Sequence, residues 1–338
     1  MQDYHIPYTD VRKDNHLPGY YAWMNFQNYK KVASVQGYKP YFERFSVTGS
    51  GGVLATAQRE IVRAAKEIFG VEPVQVEDGS AQPHICLTTV NNGEADTLPG
   101  SFAIQTAGGC ITITGQDPSG VLYGVFDLIR SIGLGKSPEQ AQTAQSSKME
   151  LRLYHHWDMY KSGESLLLNT GTWAGRSIFF KNRTLVTDDM TQIRDYARLL
   201  ASVNINALCL NNVNVPVPEM RLMTEEMLPG VAKIADVLRE YGVRLFLCVH
   251  FAAPVALGAL KTADPLDEDV KKWWSGIADT IYRFIPDFGG FVVKADSEGE
   301  PGPYTYGRDH VQGGNMLGDA LKPHGGVAIW RCFVYDCH

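Results

Sequence analysis

The chain has 338 residues, of which 44% are apolar and 20% charged, and it carries a net charge of −6. Its length exceeds one average domain, so two domains are expected, and the composition is that of a globular protein able to bury a large core. The mild acidity excludes bulk attraction to nucleic acid or to an anionic membrane as the basis of function, and no apolar run reaches the ~18 residues of a membrane span.

The start, MQDYHIPYTD, lacks the basic and apolar regions of a secretion signal, which points to a cytoplasmic protein. In chain order, residues 45–48 are a short strand candidate before a glycine pair. VLATAQREIVRAAKEIFG (residues 53–70) has apolar residues near 3.6 spacing and closes on a glycine, as an amphipathic helix does. HICLTTV is a strand, and SFAIQTAGGCITITG reads as a hairpin turning at Ala107, Gly108 and Gly109. DPSGVLYGVFDLIRSIG is a second amphipathic helix with start signals at its aspartate and serine. GKSPEQAQTAQSSKME is polar and linker-like. Residues 1–148 therefore predict a small α+β domain with no cluster of catalytic residue types.

From Leu151 the pattern becomes regular. LRLYHHWD, NALCLNNV, RLFLCVHF, GFVVKAD and VAIWRCFVY are strand-like. Helical stretches lie between them, around 189–202, 223–241, 267–284 and 313–322. Alternating strands and helices predict a parallel sheet with crossover helices. Each strand ends in polar residues: His155, His156, Trp157 and Asp158; Asn211, Asn212 and Asn214; His250; Lys294, Asp296 and Glu298; Arg331, Tyr335 and Asp336. That pattern suits the active-site face of a (β/α)8 barrel, although an open doubly wound sheet would place ligands there too. No glycine fingerprint follows the first strand, which disfavours the nucleotide-binding version. The expectation is an α/β fold: an incomplete (β/α)8 TIM barrel of about five strands over residues 149–338, following the α+β domain. The ending RCFVYDCH stops on an active-site-like strand end with no closing helix, which suggests a truncated barrel.

Glu298 follows a buried strand and is flanked by Gly299, Pro301, Gly302 and Pro303, residues that restrict the loop's path. A carboxyl held at a barrel mouth suits glycoside hydrolysis, in which one carboxyl protonates the leaving oxygen and a second activates water or attacks the sugar. Lys294 and Arg331, at neighbouring strand ends, are either structural cations paired with Asp296 and Asp336 or a site for a carboxylate or phosphate. Trp157 and Trp330 flank the same mouth and could face a sugar ring, though core packing explains most tryptophans. Asn212 and its neighbours in LNNVN could bond sugar hydroxyls or cap the following loop. His155, His156 and His250 show no metal-ligand spacing, so no metal or cofactor is expected. Cys209, Cys248 and Cys332 sit in apolar runs, as buried free thiols do.

WAGRSIFF, DYARLLASVNINALCLNNVN, ADVLREYGVRLFLCVHFAAP, IPDFGGFVVKADSEGEPGPYTYGRDH, GGNMLGDALKPHGG and IWRCFVY together resemble the α-glucuronidases of glycoside hydrolase family 67. GVLYGVFDLIR is similar to that family's N-terminal domain. The resemblance implies hydrolysis, with inversion, of α-1,2-linked (4-O-methyl-)glucuronic acid from xylooligosaccharides derived from glucuronoxylan. It implies Glu298 as general acid, Lys294 and Arg331 as holders of the uronate carboxylate, Trp157 in the sugar pocket and Val213 near the 4-O-methyl group. For full-length members it implies a homodimer.

The chain departs from the family's pattern in the loop WDMYKSGESLLLNTGTWAG, where Glu164 is the only counterpart of an expected Glu-Arg pair. It also departs at His250 and Asp296, where the family has asparagines. The family's base lies on a later strand, so this chain is expected to supply the acid and part of the pocket without the base. A catalytically inactive uronate- or carbohydrate-binding protein is the alternative. A β-hexosaminidase-like hydrolase is a third reading, but the paired Asp-Glu expected after strand four of those enzymes is missing.

Overall fold

A computed structural model describes residues 26–77, 79–90, 98–158, 177–181, 184–297 and 299–331. The chain divides into two compact units, Met1–Glu150 and Leu151–His338.

The first unit is a mixed sheet backed by two helices. Its strands are β1 (Arg44–Val47), β2 (Val74–Gln75), β3 (His84–Thr89), β4 (Phe102–Ala107), β5 (Cys110–Gly115) and β6 (Thr143–Gln145), in the order β2-β1-β3-β5-β4-β6. β1, β2, β3 and β5 run parallel, and β4 pairs antiparallel with β5 and β6. Helix α1 (Gly52–Ala64) packs on α2 (Pro118–Gly133). The start signals read before α2 act as expected: the Asp117 carboxylate accepts from the Gly120 and Gly100 amides at 2.8 and 2.9 Å, satisfying a donor that the first helical turn leaves open. The stretch read as a linker differs from expectation. It contains β6, which pairs with β4 through Phe102↔Gln145 and Ile104↔Thr143. A strand held by backbone bonds at a sheet edge needs no apolar alternation, so its polar sequence hid it.

The second unit holds a five-stranded sheet of β7 (Leu153–Asp158), β10 (Ala207–Asn211), β11 (Arg244–His250), β12 (Gly290–Lys294) and β13 (Val327–Trp330), all parallel, in the order β13-β12-β11-β10-β7. A two-stranded ribbon, β8 (Phe180–Lys181) with β9 (Thr184–Leu185), follows β7 and was not legible in the sequence. The crossovers are α3 (Thr191–Ser202), α4 (Leu228–Arg239), α5 (Glu268–Phe284) and α6 (His310–Leu321). Strand order follows chain order without reversal, as in a (β/α)8 barrel and unlike a doubly wound sheet.

The helices cover one face of this sheet. On that face Phe291 meets Trp274 of α5 edge to face, His156 bonds the Tyr196 hydroxyl of α3 at 2.9 Å, and Trp330 bonds His310 of α6 at 3.1 Å. Register and the two-residue alternation of strands assign the opposite face. Cys209 is level with His155 and Phe246, His250 with Lys294, and Val292 with Ile329. His155, Cys209, Asn211, Cys248, His250, Lys294 and Arg331 thus share the helix-free face, which lines the interior in a barrel. The β7–β10 register shifts past Cys209, setting Asp158 level with Asn211, and Trp157 joins this face by its ring contacts with His155 and Arg331.

The sheet is curved. Flat, it would hold β7 and β13 about 19 Å apart at ~4.8 Å per strand. Yet the Arg331 guanidinium lies 5.9 Å from the Trp157 ring centroid. The first and last strands therefore lean toward each other on the helix-free side, as part of a barrel wall does.

Candidate active site

The site is assembled where β7, β10, β11, β12 and β13 end. Lys294 closes β12 and is 4% exposed. Its ammonium donates to the Asn214 side-chain oxygen at 2.9 Å. The Arg331 amide bonds the Val293 carbonyl at 3.3 Å, which places Arg331 beside Lys294 at the next register position. The expected neighbouring cations are therefore adjacent at the strand ends. The Trp157 ring carries Arg331 over it, a cation–π contact, and meets His155 edge-on at 6.0 Å between centroids.

Trp330 was expected at the same mouth as Trp157. The alternation along β13 instead turns it to the helix side, where its indole bonds His310 and meets Phe251 edge-on at 6.0 Å. It shares no face with Arg331, one residue later. Its ring is half-buried there.

The asparagines after β10 divide by role. Asn211, fully buried, donates to the Cys248 carbonyl at 3.0 Å and accepts from the Cys248 amide at 2.8 Å. Backbone pairing between β10 and β11 runs through Cys209↔Phe246, and the Asn211 amide supplies the following rung. Asn212, also fully buried, accepts from the Asn214 amide at 2.8 Å, the loop-capping arrangement that an asparagine offers. Val213 is 3% exposed within this turn.

His250 ends β11 level with Lys294. One ring nitrogen, Nδ1, accepts from the Ala252 amide at 3.0 Å, which leaves Nε2 to donate to Glu300 at 3.0 Å. Burial holds His250 below its ordinary pKa, against the upward pull of Glu300 and with some help from Lys294. Glu300 belongs to a turn in which its amide bonds the Ser297 carbonyl at 3.0 Å and Gly299 takes φ +79°. Glu298, the expected acid, lies in this turn's sequence but outside the described residues, as do Glu164, Tyr335, Asp336 and Cys332.

Asp296 has φ +44°, and its carboxylate accepts from the Tyr304 amide at 3.1 Å, with His310 at 3.9 Å. It pins the far side of the Gly-Pro loop. Gly302 passes so close that a Cβ there would sit 2.2 Å from Asp296 Cγ, which explains the glycine. Sequence reasoning missed the roles of Asn214 and Glu300, since their partners lie 80 and 50 residues away.

Behind the site, Cys209 and Cys248 are buried free thiols, and burial pushes the Cys209 thiol well above its usual range. Among the described residues no group of three His, Cys, Asp or Glu side chains could hold a metal ion.

A curved parallel sheet of alternating β/α units, with cations, an aromatic ring and a carboxylate-bearing loop at the strand ends, defines a barrel-type α/β protein of the kind used by many glycoside hydrolases. Solved structures share the fold. A family 138 enzyme targeting pectin rhamnogalacturonan II superposes with a TM-score of 0.56 at 17% identity, over 83% of this chain and 34% of its own. A chitobiase of Flavobacterium johnsoniae gives 0.54 at 13%, over 86% and 49%. Residues 22–128 match the glycosyl hydrolase family 67 N-terminus and residues 132–338 the glycosyl hydrolase family 67 middle domain, so the chain belongs to glycoside hydrolase family 67.

Alpha-glucuronidase A of Emericella nidulans is 38% identical over 299 residues, covering 85% of this chain and 35% of the relative. Alpha-glucuronidase of Hypocrea jecorina is 34% identical over 332 residues, covering 93% and 38%. The chain thus spans about a third of the length of the curated relatives it matches.

Proposed function

We propose that this chain carries the acid-bearing and carboxylate-binding part of an α-glucuronidase site. The substrate is α-1,2-linked glucuronic acid, or its 4-O-methyl ether, on xylooligosaccharides. The observation that carries this reading is the adjacency of Lys294 and Arg331 at the ends of β12 and β13, with Trp157 against Arg331. Arginine offers a planar fork matched to a carboxylate, lysine adds a point charge, and the indole beside them suits a sugar ring. Family membership and the names of the relatives point to the same chemistry.

In this reading Lys294 and Arg331 hold the uronate carboxylate and so fix the sugar's orientation. Glu298 protonates the departing xylose oxygen. A second carboxylate, on a strand later than the five described and about 6.5–9.5 Å from the acid, activates a water held between the two, which gives inversion. In this reading uronate binding draws on Lys294, Arg331 and Trp157, and hydrolysis draws on Glu298 and the second carboxylate as well. A uronate-binding protein without turnover is the second reading, favoured by the same pair of cations.

The test is calorimetric titration of the 338-residue chain with glucuronic acid and with glucose. Binding of the acid alone, lost in Lys294→Ala and Arg331→Ala, supports the carboxylate site. Equal affinity for the two sugars refutes it. Glucuronic acid release by a chain extended through the remaining family architecture, abolished by Glu298→Gln, separates the enzyme from the binding protein.

A further inference from the structure

We propose that Asn214 is a positioning residue that aims the Lys294 ammonium and thereby sets the preference for an acidic over a neutral sugar. The inference rests on the reading that Lys294 meets the substrate carboxylate. A lysine side chain has several rotatable bonds and ~2 kcal/mol of rotamer entropy, so its charge occupies a fixed point only when something holds it. Here that point is buried, where an ammonium needs hydrogen-bond acceptors. One acceptor is the Asn214 Oδ1 at 2.9 Å, on an exposed residue 80 positions earlier in the chain.

The turn that presents Asn214 is built to hold it. Asn212 is fully buried, and its side chain accepts from the Asn214 amide at 2.8 Å while its carbonyl accepts from the Val215 amide at 3.2 Å. Val215 is fully buried with φ +30°. Positive φ in a β-branched residue is strained, and such strain persists only where the surroundings over-determine it. Two hydrogen bonds and a packed valine do so here, and the one exposed member of the turn is the residue that reaches Lys294.

The chemistry of the tether also matters. An amide oxygen orients an ammonium without neutralising it. A carboxylate in its place would form an ion pair and compete with an anionic ligand for the same hydrogens.

The experiment compares binding of glucuronic acid and of its neutral methyl ester by calorimetry in wild type, Lys294→Ala, Asn214→Ala and Asn214→Asp. Asn214→Ala is expected to weaken glucuronic acid about tenfold, the loss of one hydrogen bond to a charged group, and to leave the ester within about twofold. The near-isosteric Asn214→Asp should weaken the acid more than Asn214→Ala does. A merely structural turn would lose both ligands equally. That outcome, or an unchanged affinity for the acid in Asn214→Ala, overturns the proposal. If Lys294→Ala binds the acid as wild type does, the carboxylate-site reading itself fails. If Lys294→Ala loses the acid and Asn214→Ala does not, only the positioning role fails.

Discussion

Asn211→Ala tests how the strand ends are held. The Asn211 side chain bonds both the amide and the carbonyl of Cys248, at 2.8 and 3.0 Å, and none of it reaches solvent. A primary amide has the same donor and acceptor as a peptide group, so it extends the β10–β11 ladder past Cys209↔Phe246. Truncation to alanine leaves two buried backbone groups unsatisfied at about 1–3 kcal/mol each. The expected loss is therefore about 2–6 kcal/mol, a large share of the ~5–15 kcal/mol typical of a domain.

Asn211→Asp should cost no less, because a carboxylate cannot donate to the Cys248 carbonyl and buries a charge. In urea, at about 3 kcal/mol per molar for a unit of this size, the midpoint of the second unit should fall by roughly 1 M. Hydrogen exchange of the Cys248 amide should accelerate in parallel. A midpoint within about 0.2 M of wild type, with Cys248 still protected, would refute the claim that this side chain stands in for a rung of the sheet.

Three further predictions concern the same unit. Because burial lowers the His250 pKa, the unfolded chain takes up its proton first as pH falls below the ordinary histidine value near 6.5. Stability from this group is full above that pH and declines below it, so His250→Asn should flatten the loss of urea midpoint between about pH 7 and pH 5; an unchanged slope would count against it. Trp274, fully buried against Phe291, should cost about 3–5 kcal/mol on change to alanine, measured as a drop in melting temperature. Gly290 has φ +133°, and a Cβ there would lie 2.0 Å from the Val327 carbonyl oxygen. Gly290→Ala should therefore part β12 from β13, destabilise by at least about 2 kcal/mol and weaken glucuronate binding by separating Lys294 from Arg331.

The amino-acid pattern alone determined the order of elements and the level of the site. Alternation of strand and helix signals implied a parallel sheet, and polar residues after each apolar run marked the end where ligands would sit. Lys294 and Arg331 were legible as neighbours because both close consecutive strands, and parallel strands in chain order bring such ends together. Motifs such as VKADSEGEPGP carried the family.

Only the tertiary structure decided which face each side chain takes and what it touches. Trp330 and Arg331 are adjacent in sequence and lie on opposite faces, because strand alternation assigns faces only once register is known. Asn211, Asn212 and Asn214 read alike as amides, yet one completes the sheet, one caps a turn and one holds a lysine. The edge strand β6 stayed hidden because backbone bonding leaves no apolar signature. The partners of His250 and Lys294 lie 50 and 80 residues away. Contacts at that range follow from the curvature and register of the sheet, properties of the packed chain that no local stretch of sequence encodes.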